Sequence, residues 1–254
     1  MNEKQAHQYL ADRVGIKPEL IPYFIELQRD KTILNPFLPA SVRQLGRVMN
    51  LKPGQRILDL ACGKAGVSLP LVLMYQVNLV GIDILPEFVR EAWSRAEVSG
   101  LYHLCDFITA DAAQFAAKTK SRWDAVLMLG ASPIWEGLEG SLKVLPGLVS
   151  PGGHLAIGEP YYQPGASRKI DNPFMMKEET TACMEKVGQV IEIIDDGDEG
   201  WQAYIEPERK AIAKLRADNP DHDELCRLLD IMIEDQTWEV ENLGWAVWVI
   251  KIEL

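Results

Sequence analysis

Asp59 and Asp83, and the small residues between them, set the chemistry this chain can support. The segment Leu58-Asp-Leu-Ala-Cys-Gly-Lys-Ala-Gly66 puts Asp59 just ahead of a loop made mostly of Ala61, Cys62, Gly63, Ala65 and Gly66. Small side chains let a ligand reach the backbone, and a helix that starts there offers free N–H donors. Asp83 follows Asp59 by 24 residues. A carboxylate has two acceptor oxygens, so one at this position can take both hydroxyls of a ribose. Asp59 adds a condition of its own. Opposite charges attract, so a carboxylate directly before the loop favours a ligand with a cationic amino group.

Two ligand classes carry the ribose. Ala61-x-Gly63-x-x-Gly66 has the spacing of the dinucleotide-binding G-x-G-x-x-G with alanine in place of the first glycine. On that reading the chain is a nicotinamide-dependent oxidoreductase. The other ligand is S-adenosylmethionine, and Asp59 favours it, because a pyrophosphate cradle gains nothing from an adjacent carboxylate. A protein that binds S-adenosylmethionine without catalysis is a further alternative.

The elements around the loop read as alternating strands and helices. Strands are expected at 56–60, 78–83, 104–110, 123–129 and 154–159, and helices at 67–75, 86–99, 112–119 and 138–148. Each helical crossing returns the chain parallel to the previous strand, which gives a parallel sheet covered on both faces. In such sheets the binding crevice lies beyond the carboxyl ends of the strands, where the 61–66 loop falls. Residues 1–50 read as helical and are broken by Pro18, Pro22, Pro36 and Pro39. Past residue 160 the pattern predicts a helix at 178–187, a strand at 190–194, helices at 200–217 and 222–236, and a closing strand at 245–252.

The chain has 254 residues, with 26 Lys and Arg against 37 Asp and Glu, a net charge of −11. That balance disfavours a surface built to neutralise nucleic-acid phosphates or anionic lipid. No window approaches a membrane span, and the polar start Met1 to Leu10 lacks the marks of a secretory leader. A cytoplasmic chain with reduced thiols is expected. Cys62, Cys105, Cys183 and Cys226 form no C-x-x-C pair, and His7, His103, His154 and His222 show no ligand spacing, so no metal site is expected. Cys105, Cys183 and Cys226 read as small buried hydrophobes. The acidic run Asp195–Glu199 does not match a calcium loop, since Gly197 stands at the third position where a ligand is needed, and reads as a solvated loop.

Five segments in order complete the pattern: Asp59-Leu-Ala-Cys-Gly63, Gly81-Ile-Asp83, Ala110-Asp-Ala112, Trp123-Asp-Ala-Val126 and Ser150-Pro-Gly-Gly153. Together they resemble class I, Rossmann-like, S-adenosylmethionine-dependent methyltransferases. Gly130-Ala-Ser-Pro-Ile-Trp135, Gly158-Glu-Pro-Tyr-Tyr162 and Asp198-Glu-Gly-Trp201 more distantly resemble an uncharacterised bacterial small-molecule branch of them. The resemblance implies an α/β fold, a seven-stranded, mostly parallel, doubly wound sheet whose antiparallel last strand is inserted beside the fifth. It implies one domain over 1–254: an N-terminal helical cover (1–50), a cofactor-binding core (51–160) and a C-terminal part (161–254) with a helical insertion at about 198–236. It further implies that Asp59 and the backbone of Ala61, Cys62, Gly63 and Ala65 hold the methionine portion of S-adenosylmethionine. Asp83 holds the ribose, Ile84 packs on adenine, Asp111 and Ala112 meet the adenine edge, and Gly130 lies near the sulfonium.

Substrate-facing residues are expected on the loops beyond the strands and on the N-terminal cover. Trp135 follows the fourth strand, Glu159 and Tyr161 the fifth. Glu159 is the candidate base or orienting acid, and Trp135 and Tyr161 are the candidate substrate contacts. Tyr23, Phe24, Asn35 and Phe37 are available to close the site, and Tyr162, Trp201, Tyr204 and Asp198 are lesser candidates. Methyltransferases of nucleobase amines usually carry an Asn/Asp-Pro-Pro-aromatic tetrapeptide after the fourth strand. Leu129-Gly-Ala-Ser-Pro133 stands there instead, which points to a small-molecule acceptor.

Overall fold

The structure, a computed structural model, describes residues 3–169 and 172–253. Seven strands form one sheet: β1 (Arg56–Leu60), β2 (Asn78–Asp83), β3 (Cys105–Thr109), β4 (Trp123–Leu129), β5 (Val149–Tyr162), β6 (Gln189–Asp195) and β7 (Leu243–Lys251). Their order is β3-β2-β1-β4-β5-β7-β6. The first five are parallel, and β7 runs antiparallel to both its neighbours. The antiparallel strand therefore sits beside the fifth, as the resemblance implies. β1, β4 and β7 lie inside the sheet, and their near-continuous apolar runs match burial on both faces. β5 begins earlier and ends later than the 154–159 strand read from sequence, because Val149 already pairs with Trp123, with the register shifting across residues 150–153 before His154 pairs with Ala125, and Pro160 to Tyr162 pair with β7.

Helices α4 (Ser68–Tyr75) and α5 (Pro86–Val98) cover one face, with α3 (Pro39–Val48), through Leu45, Leu71, Val72, Val89 and Ala92 against Ile57, Leu79 and Leu127. Helices α6 (Ala112–Lys118), α7 (Leu138–Val144) and α8 (Lys177–Met184) cover the other, through Ala116, Leu142 and Met184 against Leu58, Val126 and Ile157. Cys105 and Cys183 are buried as expected, whereas Cys226 is only partly so.

The insertion consists of α9 (Gly197–Asp218) and α10 (Asp223–Asn242). It packs on the cover through a separate small core. Leu20 and Leu27, at and within α2 (Ile21–Leu27), meet Ile212, Leu215, Leu225 and Leu229. Ala11 of α1 (Glu3–Val14) and Ile21 meet Leu85 and Phe88 at the end of β2. The cover thus rests on the carboxyl ends of the strands. Among the described residues no helix is long and apolar enough to cross a membrane.

Candidate active site

Period-two alternation carries Asp59 and Asp83 to the same face of adjacent parallel strands, because Asp59 pairs with Gly81 in register. Both side chains are buried. The chain turns sharply after β1, with Ala61 (φ 58°), Gly63 (φ 52°) and Ala65 (φ 56°) all left-handed. Left-handed geometry costs an alanine about 1–2 kcal/mol, so the two alanines are held there by their surroundings. Two sets of bonds do this. Cys62 N donates to Ile82 O at 2.9 Å and Ala65 N to Cys62 O at 2.8 Å. Asp83 then accepts from Gly63 N at 2.8 Å and Leu85 N at 2.9 Å, locking the loop to the end of β2. Gly66 permits the cover to cross the loop, since a Cβ there would stand 2.0 Å from Thr32 O.

A cavity of about 160 Å³ opens at these strand ends. Of the predicted cofactor residues, Asp59, Ala61, Cys62, Gly63, Asp83 and Gly130 line it together. Ala65 is buried in the loop. Ile84 packs with Ala11, Ile21, Leu85 and Phe88 beneath α1 and does not itself line the cavity, although Phe88 does. Asp111 caps α6, accepting from Gln114 N at 2.9 Å, and Ala112 is buried behind it. Burial pushes the Asp111 carboxyl up, but the Tyr9 hydroxyl, the N–H groups of Gln114 and Ala113, and Arg13 outweigh it and hold it below its ordinary value. Helix α1 is thereby drawn over the end of β3.

No residue lining the cavity is basic. Burial pushes Asp59 up to about 7; the Asp83 charge adds to this, and the nearby Ser68 hydroxyl opposes it without reaching hydrogen-bond geometry. Burial pushes Asp83 up to about 6 against the backbone N–H groups that it accepts. The Cys62 thiol is raised well above its ordinary value by burial and by both carboxylates, so it is no nucleophile. Two buried carboxylates without a cation suit a ligand that brings positive charge to Asp59 and hydroxyl donors to Asp83. The buried Oδ1 of Asn35 also lacks a hydrogen-bond partner in the same cavity.

The three candidate substrate residues lie on the other face of the sheet. Glu159 is 4% exposed. Its Oε2 accepts from Ser132 Oγ at 3.0 Å, its Oε1 has no partner, and burial raises it to about 7 against that bond. Trp135, on the turn Ser132–Trp135, packs partly buried against the α6–α8 side. The Tyr161 hydroxyl donates to Asp195 Oδ2 at 2.5 Å; burial and that carboxylate both raise it. None of the three lines the cavity that holds Asp59 and Asp83.

The cover supplies Asn35 to the cavity. Phe37 stacks at a tilt on Trp245, 5.8 Å between centroids. Tyr23 meets His222 instead, and Tyr162 and Trp201 are buried in the core. Asp198 is exposed in the first turn of α9. The acidic run is no solvated loop throughout: Asp195 takes Lys177 Nζ at 2.6 Å, and Asp196 takes Leu38 N at 2.7 Å and the Ser41 hydroxyl. Burial pushes Asp195 up, but Lys177, Tyr161 and Gly197 N outweigh it and leave it low.

Sequence reasoning missed Lys64 and Trp245. Lys64 sits in the small-residue loop yet is buried, with Nζ 2.9 Å from Gln28 O, Arg29 O and a Glu91 carboxylate oxygen. It ties the loop to the carboxyl end of α2, where a cation is favoured. The signal was a lone lysine among small residues. Trp245 of β7 points its Nε1 to 4.0 Å from where a Gly130 Cβ would stand. The antiparallel pairing of β7 with β5 makes that contact, and only the pairing register would have revealed it.

Residues 57–153 match a family model described as a methyltransferase domain. The uncharacterised protein YjhP of Escherichia coli is 30% identical over 237 residues, which cover 88% of this chain and 95% of that one. A crystal structure of an S-adenosylmethionine-dependent methyltransferase from Geobacter sulfurreducens, in complex with S-adenosyl-L-homocysteine, superposes with a TM-score of 0.81 at 26% identity, covering 91% of this chain and 98% of that one. A sterol 24-C-methyltransferase of Aspergillus fumigatus is 31% identical over 127 residues, 49% of this chain and 33% of that one.

Proposed function

The chain belongs to the class I S-adenosylmethionine-dependent methyltransferases, and on that premise we propose that it methylates a nitrogen or oxygen of a small molecule. The nicotinamide reading of Ala61-x-Gly63-x-x-Gly66 is set aside by that membership. The observation that carries the assignment of residues is the pair of buried carboxylates, Asp59 and Asp83, facing one cavity with no basic residue in its lining. Asp59 attracts the cationic amino group of the cofactor, and the left-handed loop from Ala61 to Ala65 presents its backbone to the methionine portion. Asp83 accepts from the ribose hydroxyls through lone pairs not used by Gly63 N and Leu85 N. Ile84, Asp111 and Ala112 form the adenine end beneath α1. Gly130 leaves room beside the sulfonium.

S-adenosylmethionine supplies a methyl group on a sulfonium, whose leaving thioether is neutral and requires no acid. The protein's part is therefore alignment of the acceptor and exclusion of water. The cover over the strand ends does the second. Asn35 Oδ1, unpartnered beside Leu129 and Gly130, is placed to accept a proton-bearing group of the acceptor. Glu159, Trp135 and Tyr161, on the other face of the sheet and outside the cavity, take no part in this arrangement. The net charge of −11 and the Leu129-Gly-Ala-Ser-Pro133 segment support a small molecule over nucleic acid.

The test is calorimetric titration with S-adenosylhomocysteine and, as control, NADH, followed by transfer from labelled S-adenosylmethionine to a panel of small amines and phenols. Binding of the homocysteine product alone, with label entering an amine or phenol, is expected. Binding without transfer to any acceptor would favour a non-catalytic binding protein, and NADH binding would overturn the site assignment.

A further inference from the structure

A second chamber of about 280 Å³ adjoins the cofactor cavity, and Leu34 and Phe88 line both, forming the partition between them. Its other walls come from the cover and the insertion. Phe24 and Tyr204 supply rings, while Glu208, Asp235 and Glu239 supply carboxylates. The charges there do not cancel. Glu208 is ion-paired with Lys31, both deeply buried, and Asp235 lies 2.8 Å from Lys169 Nζ. Lys64, 5.9 Å from the Phe88 ring, is held by Glu91. Glu239 has no ion pair among the described residues; burial, with Asp235 and Glu208 close by and Lys169 opposing, pushes it up to about 7.

A second observation points to a ligand independently of these acids. Gln236, only 6% exposed, lines the chamber, and its Oε1 has no hydrogen-bond partner. A buried carbonyl oxygen without a donor is costly, and a bound N–H relieves it. The vacant acceptors are thus one carboxylate and one amide oxygen, bordered by aromatic rings. Rings of this kind attract organic cations, and Tyr204 already does so: Lys31 Nζ lies 3.8 Å from its centroid. A metal ion is a poorer fit. Among the described residues, only Glu3, His7 and Glu87 bring three ligand atoms within 4.8 Å of one another, and those are not in the chamber.

We propose that this chamber receives an organic ammonium group bearing at least one N–H, and that the methyl acceptor is a different, uncharged nitrogen or oxygen of the same small molecule, whose charged end is held there. The N–H donates to Gln236 Oε1, the charge is met by Glu239, and the alkyl groups pack on Phe24, Phe88 and Tyr204. The proposal rests on the methyltransferase reading above, and it specifies the substrate class of the same site.

The experiment uses the full chain saturated with S-adenosylhomocysteine. It compares, by calorimetry, N,N-dimethylethanolammonium with its uncharged carbon isostere 3-methylbutan-1-ol, at about pH 8 where Glu239 is ionised. The ammonium compound is expected to bind at least about ten-fold more tightly than the isostere. Glu239→Gln and Gln236→Leu are each expected to reduce that preference by about ten-fold, with S-adenosylhomocysteine affinity kept within about two-fold. Equal binding of the two compounds, or binding of neither while S-adenosylhomocysteine binds, would overturn the proposal and leave the methyltransferase reading intact. Unweakened ammonium binding in both variants would also overturn it. Failure of S-adenosylhomocysteine to bind would instead bring down the reading on which it rests. The wild-type comparison of charged and uncharged compound decides the matter even if a variant does not fold.

Discussion

Lowering the pH from about 8 to about 5 should release the cofactor through Asp59. Burial raises this carboxyl to about 7, with the Asp83 charge adding to it, so it is ionised at the upper end of the window and protonated at the lower. At pH 5 only about 1% of it is charged. If the charge attracts the cofactor's amino group, affinity falls about 100-fold, or roughly 3 kcal/mol at about 1.4 kcal/mol per unit. Asp83, raised to about 6, adds at most about one further decade, because a protonated carboxyl keeps an acceptor oxygen for a hydroxyl. The stability of the free protein runs the other way. Both folded-state values lie above the unfolded ones, so the native state holds extra protons between about pH 4 and 7. This contribution to stability is full below about pH 4 and is lost as the pH rises through about 6 to 7. The rise in Tm produced by S-adenosylhomocysteine should therefore widen with pH. Calorimetry at four pH values from about 5 to about 8 checks the affinity, and thermal scans check the stability. Asp59→Asn should flatten most of the affinity profile. Equal affinity at both ends in the wild type, or an equally steep profile in Asp59→Asn, would refute the reasoning.

Three further outcomes are expected. Asp83→Ala should weaken S-adenosylhomocysteine binding by about 1–3 kcal/mol, as a charged hydrogen-bonding group and the acceptor for Gly63 N and Leu85 N are lost; unchanged affinity in calorimetry would count against the ribose assignment. Trp135→Ala should leave cofactor affinity intact, since Trp135 does not line the cofactor cavity; loss of S-adenosylhomocysteine binding in a folded variant would show that layout to be wrong. Lys31→Met should destabilise the chain by about 3–5 kcal/mol by leaving Glu208 buried without its partner, and adding Glu208→Met should restore most of it; denaturant unfolding that finds the single variant as stable as wild type would remove the pair from any structural role.

The core of the fold was legible because its signals are local. Arg56 to Leu60 and Trp123 to Leu129 read as buried strands from their own composition, and Asp59 and Asp83 follow from where those strands stop. Parallel crossovers then allow few topologies, so two carboxylates 24 residues apart could be set side by side before any coordinates. The closing hairpin was legible less directly. Val190 to Ile194 and Trp245 to Ile252 read as strands, but the insertion of β7 between β5 and β6 came from family resemblance rather than from the residues.

What stayed illegible depends on partners far away in the chain. Asp196 reads as one acid in a run of four among five residues, yet Leu38 N and Ser41, more than 150 positions earlier, make it an anchor for the cover. Lys64 reads as a loop charge, yet the carbonyls of Gln28 and Arg29 make it a buried clasp. Ala61 reads as a replacement for glycine, yet it and Ala65 each hold a left-handed backbone that alanine resists, with the bonds from Cys62 to Ile82, from Ala65 to Cys62 and from Gly63 to Asp83 keeping the turn closed. Residue type announces a group's chemistry, and local pattern fixes its element. Whether a charge is solvated, clasped or left facing a ligand is decided by the packing of distant segments. That is why Asp59 was found from sequence, whereas the uncompensated Glu239 and the unpartnered Gln236 emerged only once the insertion was seen lying against the cover.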